Sequence, residues 1–557
     1  MNISHSRQFS KLAVDYITAF NSSPIRNFFP VAPSHDDESF PELLKWRVEQ
    51  AATPNARSTR QILLKSLREQ HHAAKSLSVA VENNLKSLES ERCLAVVTGQ
   101  QVGIFGGPLY TVYKALHTII LSKHLKGKHP EYDFVPIFWQ ETEDHDFEET
   151  SFVNLITSQF ELRKFSYHPS NDFLKMQVGG IDLETQALET LYSEIESSIP
   201  KTDFSESVLN LYKDAYRSGK TFAEAQAVLL GTLFSDDGLL VLNANTPELK
   251  AQSRSLFAQE INTAPQLSKQ LQLSTTELSG NGYHAQIEPQ GVNLFVIDEG
   301  RRYKLQQAES GFTINAKPIT ASALEQMLVD SPQLFSMNVV MRPLVQDTIL
   351  PTAAYIAGPG EIAYFAQLSA AYDWAGIKMP AIVPRIGFTI VEDRFDQLLT
   401  KYDISAEQYL NDSEEITSNI LKSEQEELLA TSFDAVHMHI EAELEKLRPH
   451  VTATDVTLDQ ALTSIKGKML TTLKDFENKS LSAERKKQNT IKTQFEKMRA
   501  NLLPNGKLQE RELSLLYFLN KYGFEFWTSF KKKMIATPPS NTEHSIVRAT
   551  EIMQKST

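Results

Sequence analysis

Glycines, amides and a tyrosine are concentrated in Val97-Thr-Gly-Gln-Gln-Val-Gly-Ile-Phe-Gly-Gly-Pro-Leu-Tyr110, which follows an apolar run and precedes a helical segment. Glycines let backbone approach a ligand, and a helix starting near Pro108 would offer N–H groups and a positive dipole to a phosphate or carboxylate. The spacing matches neither the dinucleotide fingerprint nor Walker A. We predict an anion site, with a tight strand-to-helix turn as the alternative. The candidate binding residues are Thr98, Gly99, Gln100, Gly103, Gly107, Tyr110 and Lys114.

A second group of reactive side chains lies in Trp139-Gln-Glu-Thr-Glu-Asp-His-Asp-Phe-Glu148, directly after another apolar run. Ligands of open α/β sheets bind at the carboxyl ends of parallel strands, where this segment would lie. Its carboxylates and imidazole could deprotonate an attacking amine or hold a divalent cation. A solvated acidic loop is the alternative. The catalytic candidates are Asp144, His145 and Asp146, together with Gln101 of the glycine-rich loop.

A third group combines arginines with the sequence Gly358-Pro-Gly-Glu361, which precedes a helix predicted to start near Glu361. Such a helix start binds anions, and an arginine can clamp a carboxylate through two hydrogen bonds. A single arginine is more often part of a surface or structural ion pair. The candidate substrate- or nucleotide-binding residues are Arg342, Gln346, Asp347, Gly358, Gly360, Glu361 and Arg385.

Other reactive side chains are assigned structural roles. Cys93 is the only cysteine, so an intrachain disulfide or a cysteine-cluster metal site cannot form, and its apolar neighbours predict a buried thiol rather than a nucleophile. His437 and His439 are two residues apart on a predicted helix and point to different sides. We predict no metal site.

Short apolar runs that alternate with helical segments predict the parallel sheet that positions these residues. The expected strands cover residues 94–97, 134–138, 239–242, 353–356 and 381–383. Residues 155–217 are predicted to be mainly helical, and residues 283–314 to form antiparallel strands, because their apolar residues alternate. Both stretches are interpreted as insertions into the core.

Beyond Val391 the apolar residues follow the spacing of a coiled coil. The first arm is expected to end at Arg448-Pro449, because proline cannot continue a helix. A second arm follows, and the two form an antiparallel hairpin roughly 60 Å long. The seam residues are Phe433, Val436, Ile440, Leu444 and Leu447 in the first arm, and Leu458, Leu462, Ile465, Met469, Leu473, Phe476, Ile491, Phe495, Met498 and Leu502 in the second.

The predicted fold class is therefore α/β, a Rossmann-like parallel-sheet core with inserted segments plus a long α-helical antiparallel coiled-coil hairpin. The expected domains are an N-terminal helical segment packed on the core, the catalytic core with inserts near 155–230 and 280–335, the coiled coil, and a C-terminal helical segment that returns to the core. Their boundaries are 1–90, 91–390, 391–505 and 506–557.

Composition limits the partners. The formal net charge of −13 over 557 residues argues against nucleic-acid binding, which relies on clustered lysine and arginine. No apolar run approaches the roughly 20 residues needed to span a bilayer, and the N-terminus lacks the apolar region of a secretory signal. We predict a cytoplasmic protein that binds small molecules and forms a homodimer through the coiled coil.

Taken together, these motifs resemble the bacillithiol biosynthesis cysteine-adding enzyme family, also called BshC, over nearly the whole chain. The resemblance implies a core similar to the catalytic domain of class I aminoacyl-tRNA synthetases and a dimerising coiled coil. It also implies a ligase that joins L-cysteine to glucosaminyl malate in the last step of the pathway. The matching pieces are Thr98-Gly-Gln-Gln-Val-Gly103, Gly107-Pro-Leu-Tyr110, Glu143-Asp-His-Asp-Phe147, Arg342-Pro-Leu-Val-Gln-Asp347, Ala357-Gly-Pro-Gly-Glu361 and Leu508-Gln-Glu-Arg511.

Two other functions remain open from the residues alone. One is a metal-dependent hydrolase or nucleotidyl transferase that uses Asp144, His145 and Asp146; the other is a coiled-coil scaffold whose core only binds nucleotide. The sequence also leaves ATP, ADP or a divalent cation open as cofactors. In the ligase interpretation Arg342, Arg385, Lys114 and the backbone amides of the glycine-rich loop are expected to bind the malate carboxylates or an activating phosphate.

Overall fold

The structure is a computed structural model and describes residues 1–3, 8–33, 38–171, 173–289, 291–309, 311–421, 424–536, 538 and 542–553. Within these residues the chain forms two compact units. The first comprises Met1–Asp396 with Lys507–Thr557, and the second comprises Gln397–Gly506.

The strands, in chain order, are β1 Cys93–Gln101, β2 Asp133–Glu141, β3 Phe152–Ile156, β4 Leu162–Ser166, β5 Leu240–Leu242, β6 Leu294–Asp298, β7 Arg301–Lys304, β8 Gln306–Ala308, β9 Gly311–Ile314, β10 Lys317–Ile319, β11 Phe335–Met337, β12 Thr352–Ala357, β13 Ala381–Pro384, β14 Gly387–Val391 and β15 His544–Arg548.

The helices are α1 Lys11–Thr18, α2 Ser39–Ala51, α3 Pro54–Ala73, α4 Val79–Leu88, α5 Leu109–Lys128, α6 Phe147–Thr150, α7 Thr185–Ser198, α8 Ser205–Ala215, α9 Phe222–Phe234, α10 Pro247–Lys250, α11 Arg254–Thr263, α12 Gln266–Gly280, α13 Ala321–Asp330, α14 Met341–Ile349, α15 Pro359–Phe365, α16 Ser369–Ala375, α17 Asp393–Lys401, α18 Ala406–Leu421, α19 Glu424–Thr454, α20 Leu458–Leu502, α21 Gln509–Glu512, α22 Leu515–Ala536 and α23 Ala549–Met553.

The core of the first unit is a five-stranded sheet in the order β13-β12-β1-β2-β5, and every neighbouring pair is parallel. Alternate residues of β1 face two different apolar clusters, with Cys93, Ala95 and Val97 on one side and Leu94 and Val96 on the other. Burial on both faces explains why the strands read as continuous apolar runs. The predicted parallel sheet and its five strand positions are confirmed.

Parallel strands end at the same edge of a sheet, and this arrangement collects the chemical groups. Gln101 ends β1, Glu141 ends β2, and Gly358 and Arg385 directly follow β12 and β13. The site described below therefore depends on strand register, because β1 and β2 pair without a shift from Cys93↔Asp133 to Gln101↔Glu141.

The stretch between the second and fifth strands differs in part from its prediction. Residues 155–217 contain helices α7 and α8, but their first part belongs to an antiparallel hairpin in which β3 pairs with β4 from Phe152↔Ser166 to Ile156↔Leu162. The mainly helical prediction is wrong for this hairpin. Leu155 of β3 and Phe165 of β4 have fully buried side chains, as expected for strands with one face against the core. The antiparallel strands predicted within 283–314 are confirmed as β6, β7, β8 and β9.

The glycine-rich loop between β1 and α5 depends on left-handed backbone. Gly106 and Gly107 have φ of 80° and 70°, and an added Cβ at Gly106 would lie 2.8 Å from the Leu229 side chain. Tyr216 fixes the loop, because its hydroxyl accepts a hydrogen bond from the Gly106 N–H and donates one to the Gly103 carbonyl. Each of these bonds is 2.8 Å long. Pro108 is the N-cap of α5, one residue before the predicted position in the first turn.

In the second unit, α19 and α20 form the predicted antiparallel hairpin. Lys466 Nζ lies 3.0 Å from Glu445 Oε1, and the Phe433 and Phe476 rings are 5.7 Å apart. The expected helix end at Pro449 is wrong, since α19 continues through this proline to Thr454. Packing between the two arms opposes the cost of the missing N–H, about 3 kcal/mol.

The aromatic C-terminal segment belongs to the first unit, where α22 packs on α5 and β15 pairs in parallel with β14. Leu516, Phe518, Leu519 and Phe526 of α22 are fully buried, as expected from their apolar density. In the part of the chain that the structure describes, no helix is both long and apolar enough to cross a membrane.

Candidate active site

The carboxyl ends of β1, β2, β12 and β13 surround a cleft of about 850 Å³. Residues from all three sequence motifs line it, so groups as far apart in the chain as Gly99 and Arg385 share one cavity. The predicted site residues among its walls are Gly99, Gln100, Gln101, Tyr110, Lys114, Asp144, Arg342, Gly358, Gly360, Glu361 and Arg385.

Lys114 joins the first motif to the third. It lies on α5, is 3% exposed, and places its Nζ 2.5 Å from Glu361 Oε2. The same ammonium donates to the Gly99 carbonyl at 2.7 Å and to Gln100 Oε1 at 3.1 Å. Burial lowers the pKa of Lys114, whereas the neighbouring Glu361 carboxylate opposes that change. With three acceptors around it, Lys114 acts as a fixed positive charge in the cleft wall.

Glu361 also shapes the loop after β12. One carboxylate oxygen accepts from the Gly358 N–H at 2.6 Å, and the other accepts from the Tyr355 hydroxyl at 2.8 Å. The first bond caps α15, a helix of only seven residues. Gly358 and Gly360 therefore line the cleft as the backbone of a turn that Glu361 and Lys114 hold in place.

Glu141, the last residue of β2, has a raised pKa. Burial raises its pKa to about 7; Arg342 opposes the rise, and the carboxylates of Glu143, Asp144 and Glu361 add to it. Arg342 Nε lies 3.3 Å from Glu141 Oε1. A carboxyl that titrates near neutrality can exchange a proton with a bound amine at working pH.

Arg342 is in turn held by residues behind the cleft. It donates to Gln346 Oε1 at 2.9 Å and to the Tyr364 hydroxyl at 3.2 Å. Gln346 donates to Asp347 Oδ1 at 3.0 Å, and Asp347 Oδ2 accepts from Tyr372 at 2.7 Å. Gln346 and Asp347 do not line the cleft. Their polar atoms are instead directed at Arg342 and Tyr372.

The predicted catalytic residues separate into two groups. Gln101 Nε2 donates to Asp144 Oδ2 at 2.5 Å, so the first two motifs meet at the cleft wall. Asp146 instead accepts from the Glu149 N–H at 3.2 Å and caps α6. His145 Nδ1 is 2.9 Å from the Arg302 NH1 group, which donates to it. Neither His145 nor Asp146 lines the cleft.

Burial and the positive charge of Arg302 lower the pKa of His145, although Asp144 and Asp146 oppose the effect. Arg302 is itself fixed by bonds to Ser336 Oγ at 2.9 Å and to the Met337 carbonyl at 2.6 Å. His145 is thus held neutral beside a guanidinium that lines the cleft.

Three other predicted residues, Thr98, Gly103 and Gly107, do not line this cleft. Thr98 is buried in β1, where its hydroxyl donates to the Ile356 carbonyl at 3.0 Å. Gly103 and Gly107 line a smaller neighbouring chamber of about 350 Å³, which shares Gln100, Gln101, Tyr110, Glu149 and Arg511 with the cleft. Arg385 lines the cleft and pairs with Glu510 at 2.5 Å.

Sequence reasoning did not select as site residues Glu141, Glu143, Arg302 and Arg511, which line the cleft, or Lys250, which pairs with Glu143. Glu143 Oε2 lies 2.5 Å from Lys250 Nζ, an ion pair in which Lys250 is 1% exposed. Burial lowers the pKa of Lys250 while Glu143 opposes it. Position at the end of β2 could have indicated Glu141 and Glu143, and the motif Leu508-Gln-Glu-Arg511 could have indicated Arg511. Lys250 and Arg302 lie outside the motifs and carry no local signal.

Within the described ranges, no group of three or more histidine, cysteine, aspartate or glutamate side chains is arranged to hold a metal ion. The run Asp144-His145-Asp146 does not converge on one point, because Asp144 faces Gln101, His145 faces Arg302 and Asp146 caps a helix.

These features define a Rossmann-like α/β protein with a coiled-coil unit and a charged cleft at the carboxyl edge of its parallel sheet. Two family models together match nearly the whole chain. Residues 1–386 match the bacillithiol biosynthesis BshC N-terminal Rossmann-like domain, and residues 388–549 match the bacillithiol biosynthesis BshC C-terminal coiled-coil domain. The chain belongs to the BshC family.

Individual relatives agree with this assignment. A protein of Salinibacter ruber is 33% identical over 517 residues, 92% of each chain. One of Chloroherpeton thalassium is 34% identical over 79% of this chain and 80% of its own, and one of Chlorobaculum tepidum is 34% identical over 83% and 84%. Each of the three bears the name "Putative cysteine ligase BshC".

Proposed function

We propose that this protein is a cysteine ligase of bacillithiol biosynthesis, which joins the carboxyl group of L-cysteine to the amine of glucosaminyl malate. The observation that carries the proposal is the pairing of opposite charges in one cleft. Glu141, Glu143 and Asp144 line the carboxyl edge of the sheet together with the cations Lys114, Arg342, Arg385 and Arg511. Both substrates carry an amine and at least one carboxylate, and such a cleft offers counter-charges to each group. The names of the relatives support the same reaction.

The reaction requires a neutral amine. The sugar nitrogen attacks the carboxyl carbon of cysteine and loses a proton, and one carboxyl oxygen departs with the group that activates it. We assign the proton to Glu141, because it lines the cleft and burial raises its pKa to about 7. Asp144, held by Gln101, would keep the ammonium form of the substrate close to this base.

The remaining predicted residues would position these groups. Lys114 and Glu361 fix the turn at Gly358, Gln346 and Asp347 hold Arg342, and Arg302 holds His145. A rigid arrangement of this kind lowers the reorganisation needed when charge develops in the transition state.

The direct test is a purified protein supplied with cysteine, glucosaminyl malate and ATP, followed by mass spectrometry. We expect a product whose mass is the sum of the two substrates less one water, and the release of AMP or of ADP would identify the activated intermediate. Glu141→Gln should abolish product formation while Glu161→Gln, on an exposed position of the β3–β4 hairpin, should not. Unchanged bacillithiol in a strain that lacks the gene would contradict the proposal.

We also infer that the chain forms a homodimer through its second unit. Two helices cannot enclose their own seam, and Val436, Ile465, Met469 and Phe476 remain between 44% and 61% exposed on the hairpin. Apolar residues at heptad spacing are normally covered by further helices. A second copy of the chain carries the same exposed apolar residues, so the two copies could cover each other.

The proposed site of action is the cytoplasm. Cys93 is a free thiol and the only cysteine of the sequence, which fits the reducing conditions of that compartment. Cell fractionation with an antibody to the native chain tests this assignment, and recovery from culture medium would contradict it.

A further inference from the structure

Arg511 differs from every other cation that lines the cleft. Lys114 pairs with Glu361, Arg342 with Glu141 and Arg385 with Glu510, and Arg302 donates to three acceptors. Among the described residues, the Arg511 guanidinium has neither an ion pair nor a hydrogen bond. Arg511 is exposed and lies on α21, in the segment that returns to the first unit after the hairpin.

Arg511 also lies where the two chambers meet. It lines both the cleft of about 850 Å³ and the chamber of about 350 Å³. The smaller chamber is bounded by Gly107, Pro108 and Thr111 at the start of α5, a helix of 20 residues whose positive dipole end faces this space. Lys507 adds a second cation to its wall.

The carboxylates of the smaller chamber already have partners. Glu512 accepts from Lys507 at 2.7 Å and from Asn154 at 3.0 Å, and Glu149 accepts from Gln101 at 3.4 Å. Arg511 therefore remains the group with unused donors, and its planar fork suits a carboxylate through two parallel hydrogen bonds.

We propose that the smaller chamber is the subsite for the carboxylate end of the amino-sugar acceptor, with Arg511 as its principal ligand. The inference rests on the proposed ligase function and assigns the orientation of the acceptor. The dicarboxylate lies beside Arg511 at the start of α5, and the sugar amine lies in the larger cleft near Glu141. The smaller chamber is lined by the cations Arg511 and Lys507 and the carboxylates Glu149 and Glu512, whereas the acidic residues Glu141, Glu143 and Asp144 line only the larger cleft, where the ammonium form of the sugar amine would lie.

This assignment changes the roles of the cations predicted from sequence. Arg342, Arg385 and Lys114 each neutralise a carboxylate of the protein, so a substrate carboxylate would have to displace Glu141, Glu510 or Glu361 to bind them. Binding at Arg511 requires no such displacement.

The first test measures binding of free L-malate to the full chain by isothermal titration calorimetry. We expect Arg511→Gln to raise the dissociation constant by at least about tenfold, the effect of losing a charge-assisted hydrogen bond, and Arg511→Lys to have a smaller effect. Arg217→Gln is the matched control, because Arg217 is exposed and lines neither chamber. Equal malate affinity in the wild type and Arg511→Gln would overturn the proposal.

Two further probes identify the chemistry. Dimethyl malate, which lacks the charges, should bind at least about tenfold more weakly than malate, and equal binding would overturn the carboxylate assignment. Inorganic phosphate should compete poorly with malate. Strong competition that depends on Arg511 would overturn the assignment in favour of a phosphoryl-group subsite.

Kinetics separate this inference from the ligase proposal. If the amide forms, Arg511→Gln should raise the KM for glucosaminyl malate and leave the KM for cysteine unchanged; an unchanged KM for both would refute the subsite alone. If no amide forms but malate binding still depends on Arg511, the ligase proposal fails and the subsite stands. Circular dichroism of the variant confirms that it is folded.

Discussion

The Nζ atom of Lys114 lies 2.5 Å from Glu361 Oε2, although the two residues belong to motifs 247 positions apart. Lys114 is on the helix after β1, and Glu361 caps the helix after β12. Because β12 and β1 are neighbours in the parallel sheet, this ion pair ties together the two turns that form the cleft. It positions Gly358, Tyr355 and Gln100 at the same time.

Glu361→Gln should destabilise the first unit. The substitution leaves the Lys114 ammonium buried without a counter-charge, and breaking a buried pair from one side costs about 3 kcal/mol or more. Urea unfolding followed by tryptophan fluorescence measures the effect. Glu49→Gln, at an exposed position of α2, is the control and should change the free energy of unfolding by less than about 0.5 kcal/mol. Equal unfolding midpoints for Glu361→Gln and the wild type would contradict a structural role for the pair.

The rate of amide formation should depend on the charge of Glu141. Its pKa is raised to about 7, so the carboxyl is protonated below that pH and cannot accept a proton. Activity should therefore rise about tenfold per pH unit below 7 and level off above it. Initial rates between pH 5.5 and 9 test this profile. An acidic limb that persists unchanged in Glu141→Gln would assign the titration to another group.

The same shift has an opposite consequence for stability. The folded chain holds the Glu141 proton more tightly than the unfolded chain, whose carboxyl titrates near 4.5. This group therefore lowers the free energy of unfolding as the pH rises from about 4.5 to 7. Glu141→Gln lacks this titration. Its free energy of unfolding should therefore rise relative to that of the wild type as the pH increases over this interval. Urea unfolding at pH 5 and pH 8 measures it, and a change in the reverse direction would contradict the raised pKa.

Arg302→Met should raise the pKa of His145. Burial is the larger cause of its lowered pKa, but the guanidinium 2.9 Å from Nδ1 also disfavours the imidazolium. Nitrogen-15 labelling of histidine and NMR titration report the change. Arg301→Met, which alters the neighbouring residue on the opposite face of β7, should leave the pKa of His145 unmoved. A fall in the His145 pKa in Arg302→Met would refute the electrostatic argument.

Ile465→Glu should convert the proposed dimer to a monomer. Ile465 is 51% exposed on the hairpin stripe, and a glutamate buried there against a second copy would lack a counter-charge. Light scattering coupled to size-exclusion chromatography gives the mass directly. Thr471→Glu places the same charge on the opposite side of α20 and should keep the dimer. A wild-type chain of monomeric mass would refute the dimer itself.

Local sequence determined the elements of the core. Apolar runs such as Leu94-Ala-Val-Val97 predicted strands because a parallel sheet is buried on both faces, and Pro108 predicted the start of the helix that follows the glycine-rich loop. The same rules placed Gln101, Arg385 and the acidic segment at strand ends. Family motifs then identified the BshC family, which the domain matches confirm.

Local rules failed where longer-range packing decided the outcome. Pro449 should end a helix, but cross-hairpin packing carries α19 to Thr454, and the segment 155–166 follows the β3–β4 pairing rather than its helical pattern. Only tertiary structure paired Glu143 with Lys250 and His145 with Arg302, and only it left Arg511 unpaired at the junction of two chambers. Ion pairing and burial depend on distances between residues far apart in the chain, and spacing along the sequence does not encode those distances.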